Sequence, residues 1–220
     1  MSFLGAIGYI MGGSGLKELL STCYASGSLD RMLGGHAYAR SIRAHMLVHS
    51  ALGSLIIGET ELTADEESAV TATIDAWSAD TLSYVNLVND KAVQSGTTKF
   101  YRKMQEIEQR GATAALWIHY YKLVTIIKNF IMAERMSNWD LHLDCVAKML
   151  PFFHASSHFP NAKSAQLYLQ DVVNLQSFMS EEEARKFKEG YFTVRRSKKL
   201  WCGVWTDMCI EQTYMREMKS

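Results

Sequence analysis

The chain has 220 residues, 23 basic and 23 acidic side chains and 48% apolar residues, a globular balance that excludes both a disordered tail and a lipid-embedded bundle. The charges are unevenly spread: residues 1–97 hold 5 basic and 10 acidic groups and residues 98–220 hold 18 and 13, so a polyanion is expected to meet the second half. With only Pro151 and Pro160 to interrupt them, long helices are the default, and the glycine patterns of a nucleophile elbow, a P-loop, a protein kinase or a dinucleotide site are missing.

The opening Met1 to Gly15 is apolar and glycine-rich and ends in Gly12-Gly13-Ser14-Gly15, which reads as a tight turn before a helix starting at Leu16. From Ala37 to Ile57, Ala44, Leu47, Val48, Ala51, Leu52 and Leu55 recur at helical spacing and predict one apolar face, with Arg40 and Arg43 three apart at its start. Thr63-Ala64-Asp65-Glu66 matches a capping box and predicts a helix to Trp77. Ser95-Gly96-Thr97-Thr98 reads as a break between an acidic amino-terminal segment, 1–96, and a second part, 97–220, within one domain.

Ala112 to Met136 is apolar nearly all round, interrupted by Lys122, Lys128 and Glu134, which predicts a central core helix. Ser137 to Asp140 caps a helix over Trp139 to Leu150, with Pro151 as its stop. Ala162 to Gln176 is amphipathic, and Ser180-Glu181-Glu182-Glu183 caps a short helix ending near Gly190. The period then changes. Tyr191 to Arg196 and Leu200 to Trp205 are aromatic and β-branched around Ser197-Lys198-Lys199, which predicts a hairpin, and Thr206-Asp207 caps a last helix to Lys219. The expected fold is mainly α, an irregular helical domain with one small β-hairpin near the C-terminus. No stretch is long and apolar enough to predict a membrane span, and four scattered cysteines point to an intracellular, reducing setting.

Three constellations carry candidate chemistry. His45 with His49, and His154 with His158, each sit four apart, a spacing that on a helix lets two imidazoles share a metal; satisfied or exposed histidines are the favoured reading. Asp207 and Glu211 share one face of the last predicted helix, where paired carboxylates hold a divalent cation such as Mg²⁺ or Mn²⁺, against a plain dipole partner and a solvated acid. Arg195, Arg196, Lys198 and Lys199 with Trp201 combine charge for phosphates with a π face for bases, in a stretch from Arg185 to Lys199 of seven basic residues against Glu189; a solvated basic turn over a buried aromatic strand face is the equal alternative.

The ordered stretches His158 to Gln170, Tyr191 to Ser197 and Thr206-Asp207-Met208-Cys209-Ile210-Glu211-Gln212 resemble a family of uncharacterised animal proteins associated with mobile elements. Its members look like remnants of ribonuclease H-like transposases. The resemblance implies a DNA-associated intracellular protein, with the nucleus as its expected place, and with Glu211 as the late catalytic glutamate and Asp207 and His158 as its neighbours. It implies Mg²⁺ or Mn²⁺ in a full-length protein and none for this chain alone. Because the family's longer members carry a strand-rich region with further acids, it also implies a fragment whose partner is a missing upstream segment or a second copy. A non-catalytic helical interaction or structural module is the rival expectation.

Overall fold

The computed structural model describes residues 15–34, 36–79, 81–195 and 203–205. The last expected helix, Thr206 to Lys219, and the expected turn at Ser197 to Lys199 lie outside them. Among the described residues the chain is mainly α-helical: α1 (Leu16–Ser21), α2 (Ser26–Leu33), α3 (Tyr38–Gly58), α4 (Ala64–Ser78), α5 (Tyr84–Asn89), α6 (Lys91–Glu108), α7 (Ala112–Met136), α8 (Trp139–Ala155), α9 (Phe159–Val173), α10 (Leu175–Phe178) and α11 (Glu181–Lys186). Two compact units result, residues 1–123 and 124–220, and the division falls inside α7.

In the first unit α4 begins where its capping box predicts. The Thr63 hydroxyl accepts from the Glu66 N–H, and the Glu66 carboxylate accepts from the Thr63 N–H at 2.9 Å. The break expected at Ser95 to Thr98 is instead helical, because Asp90 caps α6 by accepting from the Val93 N–H at 3.1 Å and the helix then runs through to Glu108. Gly96 is there for packing: an added Cβ would stand 3.4 Å from the Val70 Cγ2 of α4.

The predicted face of α3 is rotated. Ala44 and Val48 are buried as expected, but Leu47 and Leu55 are 65% and 68% exposed, and Ser41, His45, His49, Gly53 and Ile56 lie on the buried side. Both sets recur at three and four, so period alone does not choose between them. The second set wins because α7 supplies Tyr120 and Tyr121 as partners for the two histidines. Beside them Ile56, Met104 and Ile118 form a buried cluster flanked by Phe100, Ile107 and Tyr121.

In the second unit α8 starts on Asn138, whose side-chain oxygen accepts from the Leu141 N–H at 3.0 Å. Ser137, with φ at 57°, makes the left-handed reversal between α7 and α8. Pro151 does not stop the helix, which continues to Ala155. Phe152 and Phe153 beyond it are half-buried, and a proline inside a helix forfeits one backbone bond and bends the helix without having to end it. Pro160 does open α9, in the first turn where a missing N–H costs nothing. After α11 and its capping box on Ser180 and Glu183 comes one wide turn, Phe187–Tyr191. Gly190 there has φ at 113°, and an added Cβ would meet the Ser137 Cβ at 2.8 Å, so only glycine fits.

Tyr191, expected in a strand, therefore belongs to a helical turn. Extended backbone begins at β1 (Thr193–Arg195), which pairs antiparallel with β2 (Gly203–Trp205), Val194 opposite Val204. Residues 196–202, where the hairpin was expected to turn, lie outside the described residues.

Candidate functional site

Of the residues that the sequence marked for chemistry, Asp207, Glu211, Arg196, Lys198, Lys199 and Trp201 lie outside the described residues, and Arg195 is described only as β1 backbone. His158 stands at the N-cap of α9, where its Nδ1–H donates to the Ser156 carbonyl at 2.8 Å. His154 closes the last turn of α8, so the pair does not share one helix face.

The buried histidines are held by tyrosines. His45 Nδ1 lies 2.7 Å from the Tyr120 hydroxyl, and His49 stacks on Tyr121 with ring centroids 4.2 Å apart and planes 6° from parallel. Burial lowers the His45 pKa to about 4, so the ring is neutral at pH 7. The same burial raises the Tyr120 hydroxyl far above its ordinary range.

The second unit holds a polar network that sequence reading did not find. Glu134 in the last turns of α7, His142 in the first turns of α8 and Tyr168 on α9 form a chain: the Glu134 carboxylate faces His142 Nδ1, and His142 Nε2 is 3.0 Å from the Tyr168 hydroxyl. Glu134 is 5% exposed and His142 9%. With a neutral imidazole, Nδ1–H donates to the carboxylate and Nε2 accepts from the hydroxyl, so every group is satisfied. Burial, with Glu134 adding to it, pushes Tyr168 up to about 12, so that proton stays on oxygen. Phe130, Trp139 and Phe192 close round the imidazole at centroid distances of 5.3, 6.0 and 5.1 Å.

One signal for this network was legible: Glu134 is the only acid inside the apolar helix Ala112–Met136, and a buried carboxylate demands a partner. The choice of His142 and Tyr168 was not legible, because it depends on how α8 and α9 pack. Both imidazole nitrogens are used internally, which leaves neither for a metal. Among the described residues no three His, Cys, Asp or Glu side chains gather into a metal-binding group. Cys145 is buried, and burial pushes its thiol up to about 11, so it is protonated at neutral pH and a poor nucleophile.

An open surface of a different character lies in the first unit. A groove of about 360 Å³ runs between α4 and α6 at the end of α3, lined chiefly by Leu62, Val70, Ile74, Val93, Phe100 and Tyr101. Ile74 and Tyr101 are 43% and 53% exposed. Neither α4 nor α5 buries a single residue among those described, although both carry apolar side chains. Lys99 clamps α6 to α4 by donating to both oxygens of Glu66 at 2.7 and 2.6 Å, which holds that carboxyl below its usual pKa. Glu67 stands at the groove's edge. From Ile57 to Tyr101 the sequence carries eight carboxylates against Lys91 and Lys99, a net charge of −6.

Among the described residues no helix is long and apolar enough to cross a membrane. A family model described as a domain of unknown function matches residues 1–220. No curated protein and no solved structure matches the chain.

Proposed function

The chain belongs to the DUF8702 family, whose description names no activity, and from the geometry of its first unit we propose a non-catalytic helical interaction module that takes a basic amphipathic helix of a partner protein. The groove between α4 and α6 carries this reading. It is apolar along its floor, it is bordered on one side by α4, which buries no residue of its own, and its surroundings are acidic. A partner helix would lay Leu- or Phe-type side chains over Val70, Ile74 and Phe100 and set its lysines or arginines against carboxylates such as Glu67. The closed state of the Glu134, His142 and Tyr168 network supports the same reading, since its polar groups satisfy one another and present none to a substrate.

The test is titration with two designed helical peptides of equal apolar pattern, one with lysines and one with glutamates on the polar face, followed by amide chemical shifts. The lysine peptide is expected to bind and to shift Val70, Ile74, Thr97 and Phe100, and Ile74→Arg to weaken it about tenfold or more. Equal binding of both peptides, or shifts centred elsewhere, would overturn the proposal.

A second reading is favoured by the basic stretch Arg185 to Lys199 and by the resemblance to transposase remnants. There a basic hairpin over Tyr191 to Trp205 contacts DNA through Arg195, Arg196, Lys198, Lys199 and Trp201, and Glu211, Asp207 and His158 descend from a metal-dependent site. Its observable is a salt slope of about 0.9 in log affinity per phosphate contact on duplex DNA. A slope unchanged by charge reversal of Lys198 and Lys199 would remove it.

A further inference from the structure

Arg40 and Arg43 open α3 on one face, and Arg31 reaches the same place from the last turn of α2. Together with Ser28, Ala37 and Tyr38 they line an open basin of about 650 Å³. All three guanidinium side chains are exposed. Arg40 is aimed by its Nη1, which donates to the Ser28 Oγ at 2.8 Å and keeps its remaining donors for another acceptor.

Three arginines this close repel one another, and surface clusters of this kind are ordinarily interleaved with acids. Among the described residues no carboxylate lines the basin. Asp30, next to Arg31 in sequence, is committed to Lys17 at 2.9 Å. The 21-residue helix α3 adds to the imbalance: no side chain caps it and no acid stands in its first turn, so the positive end of its dipole is uncompensated. All this sits in the half of the chain that carries an excess of acid, so the local positive field is a property of the fold and not of the composition.

We propose that this basin is a binding site for an oligophosphate, a small ligand carrying two or more linked phosphate groups. Guanidinium forks match phosphate oxygens two at a time, and three of them balance the charge of a di- or triphosphate where one phosphate would leave the cluster under-neutralised. The basin holds more than a single phosphate, and Tyr38 is among the residues that line it. This site is independent of the α4–α6 groove and of what that groove binds.

The experiment is calorimetric titration of the full chain with inorganic tripolyphosphate at low salt, with a single-stranded DNA oligomer as the second arm. Tripolyphosphate is expected to bind at one site. The double variant Arg40→Met/Arg43→Met should weaken it about a hundredfold and Arg31→Met about tenfold, with the helical circular dichroism unchanged because these side chains are exposed. Arg40→Lys/Arg43→Lys, which keeps the charge and loses the fork, should fall between. Ile74→Arg, in the groove, should leave tripolyphosphate binding as it is. Absence of binding, equal binding by the wild type and the methionine double variant, or binding of the oligomer without tripolyphosphate would overturn the proposal.

Discussion

The two units bury histidine in opposite ways. In the first, His45 lies 2.7 Å from the Tyr120 hydroxyl and His49 stacks on the Tyr121 ring. In the second, His142 is held between a carboxylate and a hydroxyl inside a ring of aromatics. An imidazole without an acid partner is stabilised only while neutral, so its site acts on stability through pH. An imidazole fixed to a buried carboxylate is part of a network in which each member prevents the other from being an unpaired buried group. The first unit thus holds an acid-sensitive site at His45, and the second a site sensitive to deletion of one partner.

Deleting the carboxylate should give the largest effect. Glu134→Ala leaves His142 Nδ1–H buried with no acceptor, opens a cavity beside Phe130 and is expected to cost about 3–5 kcal/mol; Glu134→Gln, which keeps an acceptor, should cost clearly less. Urea denaturation of the two variants checks this. Equal losses would mean that the charge of Glu134 carries the whole contribution and its shape and acceptor oxygen add nothing.

The pH response of His45 comes next. Its folded pKa of about 4 lies below the ordinary 6.5, so the unfolded chain takes up a proton in a range where the folded chain does not. Stability is therefore full above about pH 6.5 and declines as the pH falls toward 4, by about 3 kcal/mol in total. His45→Phe should flatten this segment of the stability curve, even if its absolute stability at pH 7 is lower through loss of the Tyr120 contact. A decline of unchanged steepness in the variant would assign the acid sensitivity to another group.

The smallest effect concerns the capping boxes, one in each unit. Thr63→Ala and Ser180→Ala are each expected to cost about 1 kcal/mol. In the first unit the Thr63 loss should also loosen α4, a helix without buried residues, and show as faster amide exchange there than in α3. Uniform exchange across both helices would mean that α4 is held by more than its cap and the Lys99–Glu66 clamp.

Helix positions were the most legible part of the sequence, because caps and period are local properties. Thr63-x-x-Glu66 starts α4, Ser180-x-x-Glu183 starts α11, and the bounds of α7 coincide with the apolar run Ala112 to Met136. Where the reading failed, the competing force was non-local. Pro151 is a local stop signal, yet α8 runs past it to Ala155, with Phe152 and Phe153 half-buried beyond it. Ser95 to Thr98 has loop composition, yet the Asp90 cap and the contact of Gly96 with Val70 keep it helical.

Function was less legible than fold for the same reason. Spacing paired His45 with His49 as potential metal ligands, but only the placement of Tyr120 and Tyr121 on α7 determined that they are core side chains. The arginines at the start of α3 were visible, and their spacing placed two of them on one face; the third, Arg31, joins them only through the turn between α2 and α3. What the sequence by itself determined is a mainly helical chain with its caps, its apolar runs and its charge asymmetry, since hydrogen bonds and side-chain period act within a few residues. Which face of α3 is buried, which residues complete the Glu134 network and where an apolar groove and a basic basin stay open were decided by tertiary structure, because each depends on side chains brought together from helices distant in sequence.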